Sequence, residues 1–208
     1  MHRFLPILAA VAVAASVMAA PARAETEEPR YTVVDKIGVI EVRQYGPRLA
    51  AEVIVQGDEE DARSNGFRPL ADYIFGNNTA QAKIAMTAPV AQERSEKIAM
   101  TAPVSQTREG AGWRVRFFMP AKYTRETLPR PNNPAVQIVE LPGETMAVLR
   151  FSNSRSTEAV AKQTAVLLRG VEASRWLVVG APVTWLYDPP WTLPFFRRNE
   201  VAVPVKPR

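Results

Sequence analysis

Apolar and polar residues alternate along "YTVVDKIGVIEVRQYGPRLAAEVIVQG", residues 31–57, in a run rich in β-branched side chains and interrupted by Gly38, Gly46-Pro47 and Gly57. A period of two broken by turn residues predicts strands. The period then changes. In "DEEDARSNGFRPLADYIFG" Phe67, Leu70 and Ile74 fall at i, i+3 and i+7 behind an acidic opening that suits a helix N-terminus. Pro69 is expected to limit that helix to a short piece or to start a new turn at Arg68. "WRVRFFMP" predicts a further strand closed by Pro120, and residues 120–134, with four prolines, a connector.

The second half repeats the order. "VQIVEL" and "TMAVLRF" predict strands, and "STEAVAKQTAVLLRG" a helix with Ser156 as N-cap, Glu158 in the first turn and Gly170 at its end. "WLVVGAPVTWLYD" and "EVAVPV" predict strands again. The pattern is therefore α+β, an antiparallel sheet with two helices, organised as two pseudo-equivalent halves at residues 31–119 and 135–206.

Within the first half, "KIAMTAPV" occurs twice, at residues 83–90 and 97–104. Strand periodicity puts Ile84, Met86, Ala88 and Val90 on one face. If the copies pair antiparallel, Val90 faces Ile98, Ala88 faces Met100, Met86 faces Ala102 and Ile84 faces Val104. Large meets small at the central pairs, and a one-residue slip would mix the faces. The expectation is a hairpin of the two copies, continuing through a loop near residues 105–112 into "WRVRFFMP". Met86 and Met100 then serve either as adaptable core filling or as a polarizable wall for a flat ligand.

The N-terminal 24 residues read as a secretory signal peptide: a short basic start, an apolar Ala/Val run and "ARA" at Ala22–Ala24. The expected exported chain is one soluble domain over residues 25–208, located in the periplasm of a Gram-negative type cell. Its basic residues fall to 24 against 21 acidic ones, so the charge is about +3 and nucleic acid is not an expected partner. The single histidine is His2 and there is no cysteine. Without them, Ser-His and Cys-His catalysis, Cys/His zinc sites, covalent heme attachment and disulfides fall away.

"KIAMTAPV", "FFMPAKYTRETLPRPNNPAV", "VLRFSNSRSTEAVA" and "YDPPWTLPFFRRNEVAVPV" together resemble the SOUL heme-binding protein family, over about Tyr31 to Val205. The resemblance implies two similar β-α-β halves in a twisted, barrel-like sheet with two packed helices, and a fold shared with small-molecule effector domains of bacterial regulators. It also implies reversible, non-covalent binding of heme or other tetrapyrroles on a shallow apolar surface near the first helix, with basic residues for the propionates. Carried onto this chain, the candidates are Arg63, Phe67, Arg68, Leu70 and Ile74 on the first helix, Met86 and Met100, and Tyr187, Trp191, Arg197 and Arg198 in the terminal motif. Apolar side chains can cover a porphyrin plane while Arg binds its carboxylates. Each also has a plainer role: Phe67, Leu70 and Ile74 as a core stripe, Arg197 and Arg198 as solvated or paired with Glu200, "DPPW" as a rigid turn.

Some family members have been assigned a histidine iron ligand, for which this chain has no counterpart after His2. Direct ligation would fall to Met86, Met100 or Tyr73, or be absent. The expected function is tetrapyrrole buffering, carriage or scavenging, with a small molecule as partner and no stable membrane insertion. The alternatives are a binder of another apolar small molecule through an effector-domain-like cleft, and a hydrolase using carboxylates and Tyr. Glu52, Asp72, Glu140 and Asp188 show no paired spacing, so no enzyme is expected.

Overall fold

Three strands open the fold: β1 (Tyr31–Ile37), β2 (Ile40–Tyr45) and β3 (Arg48–Val55), where the alternation predicted them. The turn between β1 and β2 is made by Gly38 at φ 59°, a conformation that costs glycine little. The computed structural model describes residues 26–80 and 95–208. After β3 comes α1 (Glu59–Phe75), capped by the Asp58 carboxylate, which accepts from the Glu60 and Asp61 amides at 3.0 and 2.9 Å. The helix runs straight through Pro69, against the expectation of a short piece. Burial of Leu70, Ala71, Tyr73 and Ile74 just beyond the proline outweighs its local cost, as packing commonly does over propensity.

The remaining elements are β4 (Asn78–Thr79), β5 (Val104–Glu109), β6 (Gly112–Phe118), β7 (Arg130–Pro131), β8 (Gln137–Leu141), β9 (Glu144–Phe151), α2 (Thr157–Glu172), β10 (Trp176–Val178), β11 (Val183–Leu186) and β12 (Asn199–Pro207). Ser156 caps α2 as expected, its hydroxyl accepting from the Ala159 amide at 3.3 Å. Gly170 lies inside α2 rather than at its end. A Cβ there would meet the Ile40 Cδ1 tip at 2.4 Å, and the helix continues past it to Glu172.

Among the described residues one antiparallel sheet has the order β1-β2-β9-β12-β11-β5-β6-β3-β8, with β10 joined to the end of β12. The path is open: β1 and β8 do not pair, so the barrel-like closure implied by the family resemblance is not made. Apart from β1 the order reads alike from both ends. β2 and β8 flank, β9 and β3 come next, then β12 and β6, with β11 and β5 at the centre. With β1 set aside, the leading strand on each side pairs into the other, β2 against β9 and β8 against β3, which interlocks the N-terminal and C-terminal strands.

Both helices cover the same face. α1 packs Leu70, Tyr73 and Ile74 against Val53, Val115 and Phe117, and α2 packs Leu167 and Val171 against Val42, Leu149 and Val201. Each such side chain contributes about 1.5–3 kcal/mol on burial. The opposite, helix-free face carries Tyr45, Met146, Val148, Trp185 and Ala202 together with charged residues.

The expected octamer hairpin is not formed by the second copy. Lys97–Met100 is irregular, Ile98 N–H donates to the Ile74 carbonyl at 2.8 Å, and Thr101 makes an isolated parallel bridge to Glu27. The first copy, with Met86, lies outside the described residues. The hairpin at this point is instead β5 with β6, turning at Gly110 (φ 55°), so residues expected in a loop are strand. Pro103 has no amide to give to a ladder, which fits a strand starting only at Val104.

Candidate ligand-binding site

The described sequence candidates separate into three places, the third being Tyr187 and Arg198 on the helix-free face beside Glu200. Arg63 sits one turn into α1, where its guanidinium donates to Gln106 Oε1 (3.2 Å) and to the Arg155 carbonyl (3.3 Å) and faces Glu59 at 3.5 Å. Arg155 in turn donates to the Asp188 carbonyl at 3.4 Å, and the Asn153 amide donates to the Pro194 carbonyl at 2.8 Å. These bonds join the N-terminal half of α1, the segment before α2 and the terminal "DPPWTLPFFRR" loop. Burial, then the nearby Arg63 and Arg197 charges, lower the Arg155 guanidinium below its ordinary value. Arg197 donates to the Thr192 and Pro190 carbonyls at 2.7 and 2.9 Å, holding the loop closed.

That loop displays apolar surface. Trp191 is 82% exposed, Phe196 71%, Phe195 60% and Leu193 55%. Exposed aromatic surface beside cations marks a recognition site more often than an accident of packing. Trp191 therefore does not cap the core.

The second group lies at the far end of α1. Leu70 and Ile74 are fully inside the core, and Phe67 rests its ring against Phe117 at 5.2 Å with part of one face exposed. Arg68 is exposed. Met100 is 38% exposed and follows Ile98, which is tied to Ile74. Eleven residues of helix, roughly 16 Å of rise, separate Arg63 from Ile74. Arg63, Trp191 and Arg197 are brought together; Ile74 and Met100 are not brought to them. Tyr73 is buried and donates its hydroxyl to the Pro129 carbonyl at 2.7 Å, so burial raises its pKa and its oxygen is already engaged.

The helix-free face holds a polar network of which one contact, Arg198 with Glu200, is legible in the sequence and the Arg43 partner is not. Glu200, fully buried, accepts from Arg43 at 2.9 and 3.2 Å, from the Tyr187 hydroxyl at 2.6 Å and from Arg198 at 3.1 Å. Burial alone would raise the Glu200 carboxyl; the Arg43 bonds and charge, helped by Tyr187 and Arg198, outweigh it and hold the group below its usual range. The local signal is a charge beside a Val in each of two strands, Arg43 next to Val42 and Glu200 next to Val201. Beside them Arg48 lies over the rings of Tyr45 (4.5 Å) and Phe118 (5.0 Å) and pairs with Glu144. A cleft of about 760 Å³ opens along this edge, lined by residues including Pro29, Arg48, Leu49, Phe118, Met119 and Leu141.

Two helices covering one face of an open antiparallel sheet, with a ligand-sized cleft, define an α+β domain of a kind seen in several solved proteins. The EcmrR C-terminal domain superposes with a TM-score of 0.59 at 10% identity, over 86% of this chain and 99% of that one. A protein described as a hydrolase from Listeria innocua gives 0.56 at 13% identity, over 80% and 91%. An uncharacterized conserved protein from Listeria innocua gives 0.53 at 15% identity, over 88% and 94%. At these identities the likeness is one of fold. No curated protein matches the chain in sequence. The chain belongs to the SOUL heme-binding protein family, whose profile matches residues 26–204.

Proposed function

We propose that the protein binds heme or a related tetrapyrrole reversibly, without a covalent bond, and that it does so in the periplasm as a buffer, carrier or scavenger. The family match over residues 26–204 carries this reading. The signal-like pattern of residues 1–24 supports the location. The macrocycle lies against Trp191, Phe195 and Phe196, and its carboxylates meet Arg155 and Arg197. Those two guanidiniums spend their hydrogen bonds on backbone carbonyls, which leaves their charge to a ligand. Arg63 positions Arg155 through its carbonyl.

Among the described residues the donor set fits the porphyrin better than the iron. His2 is the one histidine and cysteine is absent, Tyr73 is engaged in the core, Met100 follows Ile98 toward Ile74, and Met86 lies outside the described residues. Binding by apolar contact and carboxylate pairing accepts iron-free porphyrin as it accepts heme. The family is one of binding proteins, which supports a ligand carrier rather than a catalyst.

Titration of the chain from Glu25 with hemin, followed by its absorbance, should saturate at micromolar concentration. Arg155→Ala with Arg197→Ala should weaken binding about 10- to 100-fold if two charge-assisted bonds are lost. No spectral change with hemin or with protoporphyrin at that concentration would remove the reading.

A further inference from the structure

On the helix-free face, Arg48 is a donor short of acceptors. Its side chain is 9% exposed, and only one of its amino groups meets Glu144. Its Nε and Nη1 are buried with no hydrogen-bond partner, and so is the indole Nε1 of Trp185. Native proteins rarely leave such groups unpaired, and those that do ask for an occupant. Arg48 and Trp185 both line a cavity of about 10 Å³, which also touches Tyr45, Pro103 and Tyr187. That is room for about one water-sized atom. The small cavity shares Glu28, Pro29, Arg48 and Phe118 with the 760 Å³ cleft, whose size lies inside the range of about 300–1,000 Å³ typical of small-molecule sites.

We propose that this cleft binds an apolar molecule carrying a single carboxylate, one oxygen of which enters the small cavity to accept from Arg48 and Trp185. The apolar body lies against Leu49, Phe118, Met119 and Leu141. Glu27, Glu28, Glu126 and Glu140 line the cleft together with Arg30 and Arg125, and Glu140 faces Arg125 at 3.8 Å; among the described cleft residues Arg48 is the cation with buried donors left unmet, which suits one carboxylate. Glu28 does not compete for Arg48, since both its oxygens take Arg198 at 2.9 Å. The site is independent of the tetrapyrrole surface: Arg63, Arg155, Trp191 and Arg197 do not line the cleft.

Decanoate and its uncharged counterpart decanol are the probes, followed by calorimetry and by the nitrogen-bound proton resonances of the Trp185 indole (assigned with Trp185→Phe) and Arg48 Nε. Decanoate should bind saturably and move both resonances, with decanol about 10-fold or more weaker and without effect on them. Arg48→Leu should weaken decanoate about 10- to 100-fold. Should that variant fail to fold, Ala121→Trp, on the exposed cleft wall, should abolish decanoate binding while leaving thermal unfolding and hemin titration unchanged. Equal binding of decanoate and decanol, unmoved resonances, or undiminished decanoate binding by either variant would overturn the assignment and leave the small cavity to water.

Discussion

Arg43 and Glu200, 157 positions apart, meet on the helix-free face in a two-pronged ion pair at 2.9 and 3.2 Å. The pair spans β9 to join β2 to β12, and so fastens the exchanged first strand of one half to the last strand of the other. Glu200 is completely buried and the Arg43 side chain 5% exposed, so removing Arg43 leaves the buried carboxylate to Tyr187 and Arg198 alone. Arg43→Met should lower unfolding free energy by about 1.5–3 kcal/mol, read from urea denaturation, and Arg43→Met with Glu200→Leu should restore part of it. A single variant as stable as the parent would contradict this role.

Acid should loosen the same network. The Glu200 carboxyl is held below its ordinary value in the folded protein, so its contribution is complete above the unfolded value near 4.5 and is lost as pH falls through the lower folded value. Stability measured from pH 6 downward should fall less steeply in Glu200→Gln than in the parent. Parallel curves would refute the assignment.

Base acts on the tyrosines. Burial pushes Tyr45 up to about 12, and burial with the Glu96 hydrogen bond does the same for Tyr123. Burial raises Tyr73 and Tyr187 as well. These groups stay protonated in the folded state, and their contribution is present below the unfolded value of 10 and lost as pH rises toward 12. Tyrosinate absorbance should therefore lag behind that of the denatured protein across this interval. Coincident titrations would exclude the buried hydroxyls.

What could be read from the sequence was local. The β-branched runs in residues 31–57 and 136–151 marked strands through their local period and turn residues, and Ser156 marked a helix start because its side-chain oxygen can satisfy an amide of the first turn. Strand exchange between halves could not be read, since it depends on pairings between distant strands. The octamer misled for a related reason: its self-complementarity is real in composition, but Ile98 is drawn to the end of α1 and Thr101 to Glu27. At the candidate site Trp191 and Arg197 lie in the terminal motif and Arg63 on the first helix that the family resemblance points to. Arg155 lies in "VLRFSNSRSTEAVA" but is not singled out there, because only the fold brings it beside Arg63 and Arg197.

Two helix glycines separate packing from propensity. A Cβ on Gly66 would fall 2.5 Å from Val115 Cγ2 and 2.7 Å from its Cβ, a stiff β-branched neighbour. On Gly170 it would meet chiefly the movable tip of Ile40. Alanine gains about 1 kcal/mol in a helix over glycine, whereas overpacking costs about 1–3 kcal/mol. Gly66→Ala should therefore destabilise, and Gly170→Ala should be neutral or stabilising in thermal melts. The reverse order would show that the sheet under α1 yields more readily than the strand under α2.

The central claim is a tetrapyrrole held by its plane and its carboxylates rather than by its iron. Its most direct test is the ratio of dissociation constants for hemin and iron-free protoporphyrin, measured on the same protein under the same conditions. The account predicts saturable binding of both with affinities within about tenfold, a difference of at most 1.4 kcal/mol. Hemin bound a hundredfold or more tighter, or protoporphyrin not bound at all, would place the binding energy at the metal and contradict it.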